Sequence, residues 1–235
     1  MSLNANKIIV ALDYSNKNEA VALVKRLKKY ISIFKVGFEL FLSCGSSIIK
    51  EINEIGGKVF LDLKLHDIPN TVMKSSKVIA DMNVFMFNLH TSGGFEMMKR
   101  TMEEIKKSNN KPIVVGVTVL TSLNSNILSK ELSINCDVKE QVLRLAKLAK
   151  LAGLDGVVAS GEEISDIKRE CGSNFKVVVA GVRPLWFKDK DDQKRIITPK
   201  EAIEKGADFI VIGRPITRVD NPEESAKKII KEVDS

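Results

Sequence analysis

Residues 138–160 read VKEQVLRLAKLAKLAGLDGVVAS, and the change of rhythm inside this stretch decides the fold. Val142, Leu145, Ala146 and Ala149 recur at three- and four-residue spacing. They therefore share one face of a helix over Val138–Ala152, with Lys139, Arg144, Lys147 and Lys150 mostly off that face. Asp137 is placed to cap the first turn and Gly153 to stop the last. Gly156–Ser160 then runs short, apolar and β-branched, as a parallel strand covered on both faces does.

Outward from this unit the same alternation continues in both directions. Strands are expected over Lys7–Asp13, Ile33–Phe38, Lys58–Leu65, Val84–His90, Pro112–Leu120, Lys176–Val182 and Asp208–Arg214, with amphipathic stretches between them. An open sheet of the dinucleotide-binding kind would want a G-x-G-x-x-G turn after the first strand. Here Ala11-Leu12-Asp13 runs into Tyr14-Ser15-Asn16. No linker, repeat or break in composition separates the units. The expectation is one α/β catalytic domain over residues 1–235, a single (β/α)8 TIM barrel.

Bulk properties narrow the function classes. No apolar run approaches the roughly 20 residues that span a bilayer, and Met1–Lys7 carries no basic stretch leading into an apolar segment. The 3 cysteines, Cys44, Cys136 and Cys171, lie far apart without C-x-x-C spacing, which argues against a disulfide framework or a zinc site and for the cytoplasm. The formal net charge is +7, but the cations sit as singles and pairs such as Lys106-Lys107 and Lys227-Lys228. That is a lysine-rich solvated surface, not a basic track interleaved with aromatics, so neither nucleic acid nor membrane is expected as a partner.

Charges inside strands carry the functional signal, because barrel chemistry sits where strands end and βα-loops begin. In Phe60-Leu61-Asp62-Leu63-Lys64-Leu65-His66-Asp67, alternation puts the leucines towards the helices and Asp62 and Lys64 into the barrel mouth. A buried structural ion pair is the plainer reading, and a weaker one, since such pairs are seldom net stabilising. Lys35 interrupts Ile33-Phe34-Lys35-Val36-Gly37, and Asp13 and Asp62 on flanking strands are its natural partners. Asp67 falls in the loop, where it completes the row or else caps the turn at Ile68-Pro69-Asn70-Thr71. A carboxylate about 4 Å from an ammonium contributes about 4 kcal/mol at an effective dielectric near 20. Lys64 between acids thus reads as a proton donor; an amine nucleophile needs an apolar or cationic pocket.

An anion site is expected at the last two strands. Ile212-Gly213-Arg214-Pro215 ends strand eight with a glycine that lets backbone approach an oxyanion, followed by an arginine. Strand seven leads through Gly181-Val182-Arg183-Pro184 into a loop, Leu185–Arg195, long enough to act as a lid. His66 and His90 at strand ends lack metal-ligand spacing and read as supporting groups.

Taken together these segments resemble the orotidine 5′-phosphate decarboxylase family in its bacterial form, over essentially the whole chain. The matching stretches are Val10–Asp13, Phe34–Gly37, Leu61–Thr71, Asn88–Gly94, Val117–Ser122, Gly181–Pro184, Asp192–Arg195 and Ile212–Pro215. D-x-K-x-x-D alone is shared with a sugar-phosphate decarboxylase relative, whose metal dependence a lysine at position 35 opposes. The resemblance implies conversion of orotidine 5′-phosphate to uridine 5′-phosphate and CO2, the last step of pyrimidine nucleotide synthesis, without cofactor or metal. It implies that Asp13 and Lys35 hold the ribose, Asp62 sits by the substrate carboxylate and Lys64 protonates C6. Thr121 would contact the pyrimidine, and Arg183, Gln193, Gly213 and Arg214 would grip the phosphate. Asp67 and Thr71 would reach into a neighbouring subunit's site in a homodimer. Trp186-Phe187-Lys188 are bulkier than the small polar residues usual in such a lid.

Overall fold

A computed structural model describes residues 4–187 and 197–235. The strands are β1 (Ile8–Ala11), β2 (Ile33–Val36), β3 (Lys58–Leu65), β4 (Met86–His90), β5 (Ile113–Val117), β6 (Gly156–Ala159), β7 (Lys176–Val179) and β8 (Phe209–Ile212). Each pairs in parallel with the next, and β8 returns to β1 through Ile8 opposite Ile210, so the sheet closes into a barrel. The (β/α)8 expectation holds. Parallel neighbours need a crossover between them, and helices on the outside supply it.

Alternation along each strand sorts the core into two layers. Ile9, Ile33, Phe60, Met86, Val115 and Val178 turn inward and pack together in the barrel, joined by the half-buried Phe85, Val158, Phe209 and Val211. Their neighbours, among them Val10, Phe34, Leu61, Phe87 and Val114, turn outward against the helices. The helix over Val138–Leu151 buries Val142, Leu145, Ala146 and Ala149; the Asp137 carboxylate accepts from the Glu140 N–H, and Gly153 at φ 89° ends it.

Several strands stop earlier than their apolar runs suggest. β1 ends at Ala11, β5 at Val117 and β7 at Val179, because the chain there leaves its neighbours to enter the βα-loops. The apolar character persists through Leu12, Val119 and Val182, which stay buried beneath those loops. Since all strands run the same way, these departures all occur at one end of the barrel. No helix among the described residues is long and apolar enough to cross a membrane.

Candidate active site

The C-terminal mouth holds a cavity of about 290 Å³, near the lower bound for a small-molecule site. Inward-facing Phe60, Val158 and Val211 lie at its apolar end. Asp13, Lys35, Asp62, Lys64, Thr121, Arg183, Gly213 and Arg214 line it. The sequence-predicted residues from six different strand ends or following loops are thus brought to one chamber.

The charges form an ordered row. Lys64 Nζ donates to Asp62 Oδ1 at 2.7 Å. Lys35 Nζ lies 3.3 Å from Asp62 Oδ2 and 3.4 Å from Asp13 Oδ1, held between two carboxylates and tight against neither. Burial pushes the Asp62 carboxyl up, but Lys35, Lys64 and hydrogen bonds from Lys64 and Asn88 outweigh it, and its pKa falls below the ordinary value. For Lys35 burial works against the ammonium, and Asp62 and Asp13 together overcome it, leaving its pKa raised. Both groups are therefore charged at neutral pH. Lys35 and Asp62, the largely enclosed members of the row, need their partners, since removing one strands the other.

Lys64 departs from regular strand geometry. Its φ is 45°, one of few non-glycine residues in the left-handed region, at a typical cost of about 1–2 kcal/mol. The β3–β4 register shifts here: Leu61 faces Phe87, yet Leu65 faces Leu89. Asp62, Leu63 and Lys64 consequently stand against Asn88 alone. The Asn88 amide donates to Asp62 Oδ1 and accepts from the Lys64 N–H, each at 2.7 Å. The Phe38 ring, half exposed, lies with its centroid 5.5 Å from Lys64 Nζ.

The sequence reading assigned no role to Asn88 or Phe38. For Asn88 a signal existed: an amide in the otherwise apolar Met86-Phe87-Asn88-Leu89 run, on the same face as inward Met86. Nothing in the sequence marks the positive φ of Lys64, where no glycine stands.

Beside the Asp13 end of the row, the chain turns at Gly213 into a short helix, Arg214–Thr217. A Cβ at Gly213 would stand 3.4 Å from Asp13 Oδ2 and 3.5 Å from Ala11 Cβ, so the absence of a side chain keeps this wall open. Arg183 follows β7 in a segment anchored by the Val182–Ile197 bridge, with the Arg183 N–H donating to the Ile197 carbonyl at 2.9 Å. Gln193 lies outside the described residues, as does the expected lid beyond Phe187.

Two expected site residues are absent from this chain's own cavity. Asp67 is exposed, and its carboxylate accepts from the adjacent Ile68 N–H at 2.6 Å, while the helix that follows has Ile68 at its N-cap, without a side-chain cap. Thr71 is exposed in the helix Pro69–Asp81 that follows. Lys64 therefore has Asp62, not Asp67, as its carboxylate partner within the chain. His66 and His90 face each other with ring centroids 5.5 Å apart. Burial first, then the neighbouring His66 and Lys64, lower the His90 pKa against the opposing pull of Asp62. Among the described residues no group of three or more His, Cys, Asp or Glu side chains is arranged to hold a metal.

A parallel barrel with a fixed row of acids and lysines on one wall of its mouth and two arginines on another defines an enzyme of phosphorylated small molecules. Residues 6–229 match the family described as orotidine 5′-phosphate decarboxylase / HUMPS. An orotidine 5′-phosphate decarboxylase of Syntrophomonas wolfei is 50% identical over 234 residues, covering 97% of this chain and 98% of that protein. One from Geotalea daltonii is 47% identical, covering 97% and 95%. The crystal structure of orotidine 5′-phosphate decarboxylase from Lactobacillus acidophilus superimposes with a TM-score of 0.87 at 35% identity, covering 98% and 100%. The chain belongs to the orotidine 5′-phosphate decarboxylase / HUMPS family.

Proposed function

We propose that this protein decarboxylates orotidine 5′-phosphate to uridine 5′-phosphate, the final step of UMP biosynthesis, and that Lys64 delivers the proton. The C6–carboxylate bond breaks, its electron pair stays on C6 and CO2 departs. A proton passes from the Lys64 ammonium to C6, and the neutral amine regains one from water. The observation that carries this reading is the Asp13–Lys35–Asp62–Lys64 row, held by contacts among the protein's own side chains. An ammonium held by an ionised Asp62 opposes developing negative charge without having to reorganise.

Asp13 and Lys35 hold the ribose hydroxyls, Thr121 meets the pyrimidine, and Arg183, Gly213 and Arg214 take the phosphate, with Gln193 joining from the loop. Binding energy gained at the phosphate, remote from the reacting carbon, helps to organise the site. The reaction uses no metal or organic cofactor. In support, the Lys35 ammonium sits between Asp13 and Asp62 and opposes a metal cation there, where a sugar-phosphate decarboxylase of the metal-dependent kind would want an acidic residue to help bind Mg2+. Residues 1–235 act as one catalytic domain in the cytoplasm, with neither nucleic acid nor membrane as a partner.

The active form is a homodimer whose sites are shared, Asp67 and Thr71 serving the partner's cavity. Their exposure here, outside their own chain's chamber, supports that arrangement.

Two assays test the reading. Loss of orotidine 5′-phosphate absorbance in the presence of EDTA should proceed undiminished; no turnover sinks the activity, and turnover that EDTA abolishes sinks its metal independence. For assembly, inactive Asp67→Asn and Lys64→Ala homodimers are mixed. Each heterodimer should regain one intact site and up to about half the wild-type rate. Subunit exchange is followed with a mass tag, and a mixture that has exchanged fully yet stays dead means Asp67 serves its own chain.

A further inference from the structure

We infer that Asn88 is a positioning residue for the reaction: it sets the direction of the Lys64 ammonium by holding the backbone of Lys64 and the carboxylate of Asp62 at once. The inference rests on the reading of Lys64 as proton donor. Its basis is the irregularity between β3 and β4. Between the pairs Leu61–Phe87 and Leu65–Leu89, the β3 segment Asp62-Leu63-Lys64 stands against the single β4 residue Asn88. The regular ladder is interrupted there, and Lys64 takes up φ 45°. The Asn88 side chain spans the irregularity, taking the Lys64 N–H on Oδ1 and giving Nδ2–H to Asp62 Oδ1.

The same Asp62 oxygen accepts from Lys64 Nζ. One buried amide thus closes a ring of contacts through the start and the tip of the lysine side chain. Only one amide orientation works, because a flip would set oxygen against carboxylate and NH2 against N–H. Chemistry also explains asparagine over aspartate. A carboxylate would still accept from the Lys64 N–H, but its second oxygen would face Asp62 with no proton between them. Leucine would offer neither bond and leave the half-buried Lys64 N–H without this acceptor.

The test compares Asn88→Ala and Asn88→Asp with wild type, with Lys64→Ala as reference. The kcat of Asn88→Ala should fall about 100-fold, as for a reacting group displaced by about an ångström. Affinity for uridine 5′-phosphate should hold within about threefold, since the phosphate wall is untouched. The kcat of Asn88→Asp relative to wild type should be low near pH 8 and climb towards pH 5, where a protonated carboxyl donates to Asp62 again. A wild-type kcat in Asn88→Ala overturns the inference. So does a parallel fall of kcat, nucleotide affinity and Tm with a pH-independent Asn88→Asp ratio, which would mark a packing role. If Asn88→Ala does not fold, the pH dependence of the nearly isosteric Asn88→Asp decides alone. Turnover retained by Lys64→Ala would remove the proton-donor reading itself. Lys64→Ala dead with Asn88→Ala normal removes only the positioning role.

Discussion

The two ends of the barrel use the same side chains to opposite effect. At the N-terminal end, Lys168 Nζ donates to Asp208 Oδ2 at 2.6 Å and to the carbonyls of Ser173 and Phe175 at 2.9 and 3.0 Å. The three donors of its ammonium thus have three protein acceptors. Asp208 also takes the Val177 N–H, and Asp155 takes the Val114 N–H, so each stitches the start of one strand to its neighbour. Phe85 and Phe209 meet edge to face inside the barrel, with ring centroids 5.9 Å apart. At the C-terminal end, Lys64 has one carboxylate and an aromatic face, and Lys35 has two contacts beyond 3.2 Å. The difference lies in saturation: a lysine at the barrel rim whose donors are all spent inside the protein holds the fold, whereas one with donors to spare can serve a ligand.

The largest expected effect breaks the comparison most directly. Lys64→Ala should lower kcat by at least about a thousandfold, removing proton donor and counter-charge together, with the fold retained. Rates and a circular dichroism melt check it; near-normal kcat contradicts the proposed chemistry. Arg214→Ala, on the phosphate wall, should lose about 3 kcal/mol in kcat/KM for orotidine 5′-phosphate. The same variant should act almost normally on the nucleoside lacking phosphate, and an equal loss on both substrates would place the arginine elsewhere in the mechanism.

Lys168→Met inverts this pattern. It leaves Asp208 without its cation and should cost about 2 kcal/mol of stability, read as a lower urea midpoint, with kcat unchanged. Comparable kcat losses in Lys168→Met and Lys64→Ala would end the distinction between the two rims.

Legibility in the sequence follows the same division. The barrel was readable because parallel strands covered on both faces are uninterrupted apolar runs. Asp62, Lys64 and Lys35 stood out because a charge in such a run is expensive without a partner. Asn88 carries no charge, and its purpose depends on a register shift between β3 and β4 that local patterning does not encode. Asp67 and Thr71 carry motif information, but both lie exposed, outside the cavity of their own chain. Strand ends were overrun wherever apolar residues continue beneath the loops, as at Val119 and Val182.

The smallest effect sharpens the comparison by pH. His90 closes β4 at the C-terminal rim, beside His66 and Lys64, and its pKa lies below the ordinary 6.5. The folded chain therefore binds this proton less readily than the unfolded chain does. Above pH 6.5 both states leave the ring neutral and stability carries no slope from it. As pH falls below that value the unfolded state takes up the proton first, so stability is lost until the folded ring protonates too. The depressed Asp62 carboxyl adds a second loss only further down, below its ordinary 3.8. Lys35, with its pKa raised, keeps its contribution on the acid side and loses it only in strong alkali. The share of the slope between pH 6.5 and 5 that His90 supplies is bounded by one proton, at most about 1.4 kcal/mol per pH unit. His90→Gln keeps a neutral polar side chain of similar reach, and urea midpoints measured across that range should be flatter for it than for wild type. An unchanged slope in His90→Gln would assign the acid-side loss to other groups.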